Sequence, residues 1–140
     1  MLNISDVLRD LIIAELRYAA DQMQVANALP DKMYFFSAST GMLQRIFNIE
    51  YDAELLFAYQ ILTLAQNQTN GWVNQLNLPP QAGTAIITRI IDLLESELRE
   101  LANRWEQQQE ITELLKRIAV TAYAATGNGH YLTIKGVLLS

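Results

Sequence analysis

Glu50 and Glu54 stand one helical turn apart in the stretch Phe47-Asn48-Ile49-Glu50-Tyr51-Asp52-Ala53-Glu54-Leu55-Leu56-Phe57, and in type and spacing they suggest chemistry most directly. If one helix runs through them, Leu43, Phe47, Glu50, Glu54, Phe57, Ile61 and Leu64 share a seam at four-three spacing, so two carboxylates interrupt an apolar stripe. Carboxylates one turn apart between phenylalanines could hold protons above their usual range, take a hard cation through oxygen, or grip an arginine or amine. The plainer alternative is that this sector faces solvent. A competing seam, Phe47, Tyr51, Leu55, Ala58, Leu62 and Ala65, would then claim the core and leave both glutamates at its edge. The pair is a candidate ligand or cation site, with no catalytic residue assigned.

The remaining polar residues point to structure more than to reaction. Glu97-x-x-Glu100 and Glu110-x-x-Glu113 have the spacing of acidic pairs that hold magnesium, but they fall on different helical sectors and within a salt-bridged face, where solvated charge is expected. A di-metal carboxylate bundle would need paired Glu-x-x-His motifs, and the chain has one histidine, His130, in its tail. Thr126-Gly127-Asn128-Gly129 lacks the lysine and hydroxyl residue of a phosphate loop and reads as a helix C-cap and turn. The aromatics of the first half, Tyr34 to Trp72, could line a pocket for a flat ligand but at helical spacing are expected to fill the core. With no cysteine there is no disulfide, thiolate metal site or thiol catalysis, and no cofactor or metal is expected.

What would position such residues is legible in the periodicity. Ser5 can cap a first helix whose face is Leu8, Ile12, Leu16, Ala19, Met23 and Ala26, stopped by Asn27 and Pro30. Asp31 to Thr40 gives conflicting signals and is expected to be an aromatic connector. A second helix from about Gly41 to Asn67 follows, with a break near Asp52 as the alternative, and Asn70-Gly71 is expected to end it. Trp72 to Leu78 would be a short separate segment before Pro79-Pro80 opens the next helix. There Ile87, Ile91, Leu94, Leu98, Leu101 and Trp105 form the clearest seam of the chain, backed by the pairs Glu95/Arg99 and Glu100/Arg104. The stripe Ile111, Leu115, Ile118 and Ala122 lies about 110° away from it at 100° per residue, which implies a turn near Gln107 to Gln109, with one unbroken long helix as the alternative since no Gly or Pro marks the turn. Tyr131 to Val137 alternates enough to be a strand or an extended tail.

Composition points to association. From Leu55 to Thr88 there is no Asp, Glu, Lys, Arg or His, whereas about a quarter of residues are charged in ordinary domains. Its apolar part, Leu55 to Ala65, is too short for a bilayer, which needs roughly 20 residues. The amide-rich part from Gln66 to Gln81 carries Trp72, Val73, Leu76 and Leu78, and a charge-depleted, aromatic-bearing surface is what interface cores use. The net charge of -5, without a basic stripe, argues against direct nucleic-acid binding. The amino terminus lacks the basic and apolar regions of a secretory signal, so a cytoplasmic location is expected.

Together these features predict an all-α protein: one helical domain over residues 1–140, an antiparallel bundle of four to five helices with a short C-terminal strand or extended tail. The expected role is a non-catalytic protein-protein interaction module, forming a homo-oligomer or a subunit of a complex through Trp72, Val73, Leu76 and Leu78. The competing expectation is a small-ligand or metal-dependent enzyme centred on Glu50 and Glu54.

Overall fold

The computed structural model describes residues 2–75 and 80–126, and at 72, 74–75, 80–86 and 123–126 the backbone alone. These residues form five helices: α1 (Asp6–Val25), α2 (Leu29–Ile49), α3 (Ala53–Gln75), α4 (Pro80–Glu106) and α5 (Thr112–Thr126). Side-chain bonds between helices fix their directions. Lys32 Nζ donates to the Met23 carbonyl at 2.6 Å, and the Ser5 N–H donates to Glu50 Oε1 at 3.2 Å, so α1 and α2 are antiparallel. Arg17 with Glu106 and Asp21 with Arg99 set α4 antiparallel to α1, and Glu97 with Thr121 does the same for α5 against α4. The all-α bundle expected from the periodicity is present; the expected strand or extended tail lies outside the described residues.

Local sequence explains the helices and also the places where expectation and structure part. In α1 the expected face is buried at Ile12, Leu16, Ala19 and Met23 and half-buried at its ends, Leu8 and Ala26. The aromatic connector expected over Asp31 to Thr40 is instead the first half of α2, with Pro30 in the first turn, where its missing N–H costs nothing. The buried stripe of α2 runs Met33, Phe36, Ser39 and Thr40, Leu43, Ile46, so its helical period passes through two hydroxyl residues that resemble loop composition. Their polar atoms are satisfied within the helix and by its neighbour. Ser39 Oγ donates to the Phe36 carbonyl at 2.6 Å, and Thr40 Oγ1 lies between the Ser37 carbonyl and Gln66 Oε1.

The alternative break near Asp52 is the one realised. Asp52 caps α3, accepting the Leu55 N–H at 2.9 Å through Oδ1, while its Oδ2 accepts the Asn3 N–H at 3.0 Å. Helix α3 does not end at Asn70-Gly71 but continues to Gln75. Its buried stripe Leu55, Ala58, Leu62, Ala65, Thr69 and Val73 carries the helical period across the glycine, and burial outweighs the roughly 1 kcal/mol that glycine costs in a helix.

The seam expected in α4 is buried throughout, from Ile87 to Trp105. The turn expected near Gln107 to Gln109 is a C-terminal cap of the glycine type built without glycine. The Gln109 N–H donates to the Arg104 carbonyl at 2.7 Å and the Gln108 N–H to the Trp105 carbonyl at 3.2 Å. Gln108 sits in the left-handed region with φ 55°. Buried residues from all five helices join in one core, which Trp105 enters as the largest fully buried side chain.

Candidate functional site

Glu50 and Glu54 are not on one seam, because α2 ends at Ile49 and α3 starts at Ala53. Glu50 is the residue after α2, and its carboxylate accepts the Ser5 N–H in the exposed bond already described. Glu54 lies in the first turn of α3, where Oε1 accepts the Trp105 indole N–H at 2.9 Å. One glutamate therefore holds the entrance to α1 and the other satisfies a buried tryptophan that otherwise leaves a donor unpaired. With Asp52, the α2–α3 junction contributes three carboxylates that each accept an N–H from a distant part of the chain. Among the described residues, no group of three or more His, Cys, Asp or Glu is placed to hold a metal ion.

The residues named as a contact surface divide three ways. Val73 is buried in the protein's own core. Trp72 belongs to α3, with only its backbone described, and Leu76 and Leu78 lie outside the described residues. The amides of this stretch also have partners inside the fold: Gln66 meets Thr40, and Asn70 Nδ2 donates to Ser37 Oγ at 3.4 Å. Part of the charge-free composition is thus explained by α3 packing against α2, α4 and α5.

An exposed apolar seam exists elsewhere, on α1, and was not among the expected sites. Val7 is 78% exposed, Leu11 44%, Tyr18 56% and Val25 69%, and Ala14 between them is exposed too. At 100° per residue these five side chains fall within an arc of about 60°, centred opposite the buried stripe. Their spacing, with Asp21 filling the one missing position, is an unbroken four-three alternation over the length of the helix. That is the pattern with which one helix pairs with another. Its signal in the sequence is a second four-three series, set opposite the series that the core takes. Ile49 and Tyr51, on either side of the Glu50 that binds Ser5, are exposed as well.

Charges flank the seam unequally. Asp10 and Glu15 stand beside it and are exposed, while Arg17, the flanking cation, is turned onto α4. There it donates twice to Glu106, at 3.0 and 2.8 Å, and to Asn103 Oδ1 at 2.8 Å. These bonds raise the Arg17 pKa and lower that of Glu106, each chiefly through the hydrogen bond to the other. Asp21 is met at 2.7 Å by Arg99, which also holds Glu95 and Gln24. Arg9 lies within 4 Å of both Asp6 and Asp10, and Glu15 has no cation against it among the described residues. The outer face of α1 is apolar along its centre and acidic at its edges.

Glu97 corrects a second expectation. It belongs to no solvated face: α5 covers it, leaving it 8% exposed. Thr121 Oγ1 donates to Glu97 Oε1 at 2.9 Å, and Glu97 Oε2 is buried without a partner among the described residues. Burial pushes its carboxyl up to about 7, against the opposing pull of the Thr121 bond and the Arg117 charge and with a contribution from Glu100. Glu100 itself is paired with Arg104 at 2.9 Å and lies against Arg117, so the proposed acidic spacing holds one buried acid and one salt-bridged one.

No protein family, no characterised protein and no solved structure matches this chain. No helix among the described residues is long and apolar enough to cross a membrane.

Proposed function

We propose that this chain is a non-catalytic helical module that binds another protein through the outer face of α1. The observation that carries the reading is the exposed four-three seam Val7, Leu11, Ala14, Tyr18 and Val25 on a helix whose opposite face is fully used by the core. Scattered exposed apolar residues are ordinary, but a stripe aligned with a helix axis for five turns is a surface suited to a partner. The anchoring of α1 by Asp52, Glu50, Glu106 and Arg99 supports the same reading, because a helix held at both ends presents its outer face without a cost in ordering. The carboxylate-enzyme reading gains no comparable support, since Glu50 and Glu54 serve separate structural bonds.

A photo-crosslinking residue placed at Leu11 or Tyr18 of the full chain, in the cells that make it, tests the surface. Cross-links to a discrete protein band are expected from both positions and not from exposed Glu113 on α5. Silence at Leu11 and Tyr18 with labelling from Glu113 would remove α1 as the contact face. Persistence of the Tyr18 cross-link in a Leu11→Asp variant, with its loss in a Trp72→Asp variant, would return the interface to the site expected from composition.

A further inference from the structure

We infer that the occupant of the α1 seam is an amphipathic helix with basic residues along its edges, and not a second copy of this chain; this rests on the outer face of α1 being the docking surface. The inference comes from the register of the flanking charges. Two copies of α1 packed in parallel would set Asp10 of one against Glu15 of the other, since the residue before one seam position meets the residue after the next. Packed antiparallel with Val7 opposite Val25, the pair would set Glu15 against Glu15 and would place Asp21 over the apolar Leu11. Both full-length symmetric arrangements thus bring acidic side chains together, which is how helices exclude a wrong partner.

A helix with lysine or arginine at its edges meets no such conflict. It would face Asp10 and Glu15 with opposite charge and could bring a cation to Asp21, which is 62% exposed despite its bond to Arg99. Arg17 does not oppose such a helix, because Glu106 and Asn103 already hold its guanidinium against α4. The same acidic edges disfavour a lipid surface, where amphipathic helices carry basic flanks toward anionic headgroups.

The probe is a synthetic amphipathic peptide of about 21 residues with leucine on the seam and lysine at both edges, long enough to match the length of α1. Two controls go with it: the same seam with glutamate edges, and a lysine-rich peptide of identical composition with the seam scrambled. Binding to the full chain is measured by fluorescence anisotropy at about physiological ionic strength, where weak surface attraction is screened. The lysine-edged peptide is expected to bind at least about tenfold more tightly than either control. The double variant Leu11→Asp, Tyr18→Asp should lose about tenfold or more in affinity even though it is more acidic, with its helicity and melting unchanged.

Equal binding of the lysine- and glutamate-edged peptides, with loss in the double variant, would overturn the basic partner while keeping the α1 surface. Concentration-dependent self-association abolished by the double variant would do the same and make a second copy the occupant. Undiminished binding of the basic peptide to the double variant would reduce the attraction to bulk charge and overturn the inference. Cross-links from Leu11 to residues 127–140 of the same chain would make that segment the occupant and overturn the inference and the docking surface together.

Discussion

On the outer face of α1, Val7, Leu11, Tyr18 and Val25 stand in solvent, whereas where α4 meets α5 the carboxyl of Glu97 is withdrawn from it. The two regions reverse the usual placement of apolar and polar groups, with different consequences for folding. An apolar side chain exposed in the native state is also exposed in the unfolded chain, so it forgoes burial without opposing the fold. A buried carboxyl gives up hydration that the unfolded chain retains, so it opposes the fold whenever it is ionised. The first region leaves stability alone and is available to a partner; the second ties stability to pH.

Truncating one leucine in each region separates the two most strongly. Leu98, fully buried on α4 beside Glu97, should cost about 2–5 kcal/mol as Leu98→Ala, whereas Leu11→Ala should change stability by less than about 0.5 kcal/mol. Urea unfolding of the two variants measures both numbers. A cost at Leu11 approaching that at Leu98 would mean that the outer face of α1 is covered.

Titration of Glu97 comes next in size. Its folded pKa, about 7, lies above the unfolded value of 4.5, so between those values the native state binds more protons than the unfolded chain. This group therefore contributes no penalty below about pH 4.5, and its destabilisation develops as pH rises toward 7 and is complete above it. The full difference amounts to roughly 3 kcal/mol, the scale of a shift of this size. Glu97→Gln keeps an acceptor for Thr121 and cannot ionise. It should match the parent near pH 4.5 and exceed it in melting temperature at pH 8, and a constant difference across that range would separate the effect from ionisation of Glu97.

The smallest effect belongs to the turn that brings α5 onto Glu97. Gln108 holds φ 55° with a side chain that disfavours it, so Gln108→Gly should add about 0.5–1 kcal/mol. Thermal melting checks it, and a loss of stability would show that the Gln108 side chain supports the turn.

Much of the architecture was legible because it depends on local stereochemistry. Pro80, the seam from Ile87 to Trp105 and the change of stripe after Gln107 place α4, the turn and α5 without reference to any other part of the chain. The α2 start and the α3 end were misread for a common reason: Ser39, Thr40 and Gly71 carry loop-like chemistry in positions where helical period and packing prevail. Glu97 was read as solvated because it stands among Glu95, Arg99 and Glu100, yet it borders the apolar stripe on the side of Ile90, and α5 covers that side.

By itself the sequence determined that α1 and α4 are helical, where α4 and α5 separate, and that α1 has two opposed apolar stripes, since these follow from residue spacing along a single helix. Only the tertiary structure decided which stripe of α1 is buried, that Glu97 loses its water, and that Asp52, Glu50 and Glu54 accept N–H groups from Asn3, Ser5 and Trp105. Burial and hydrogen bonding are properties of pairs of elements, and the partner in each pair lies tens of residues away in the chain.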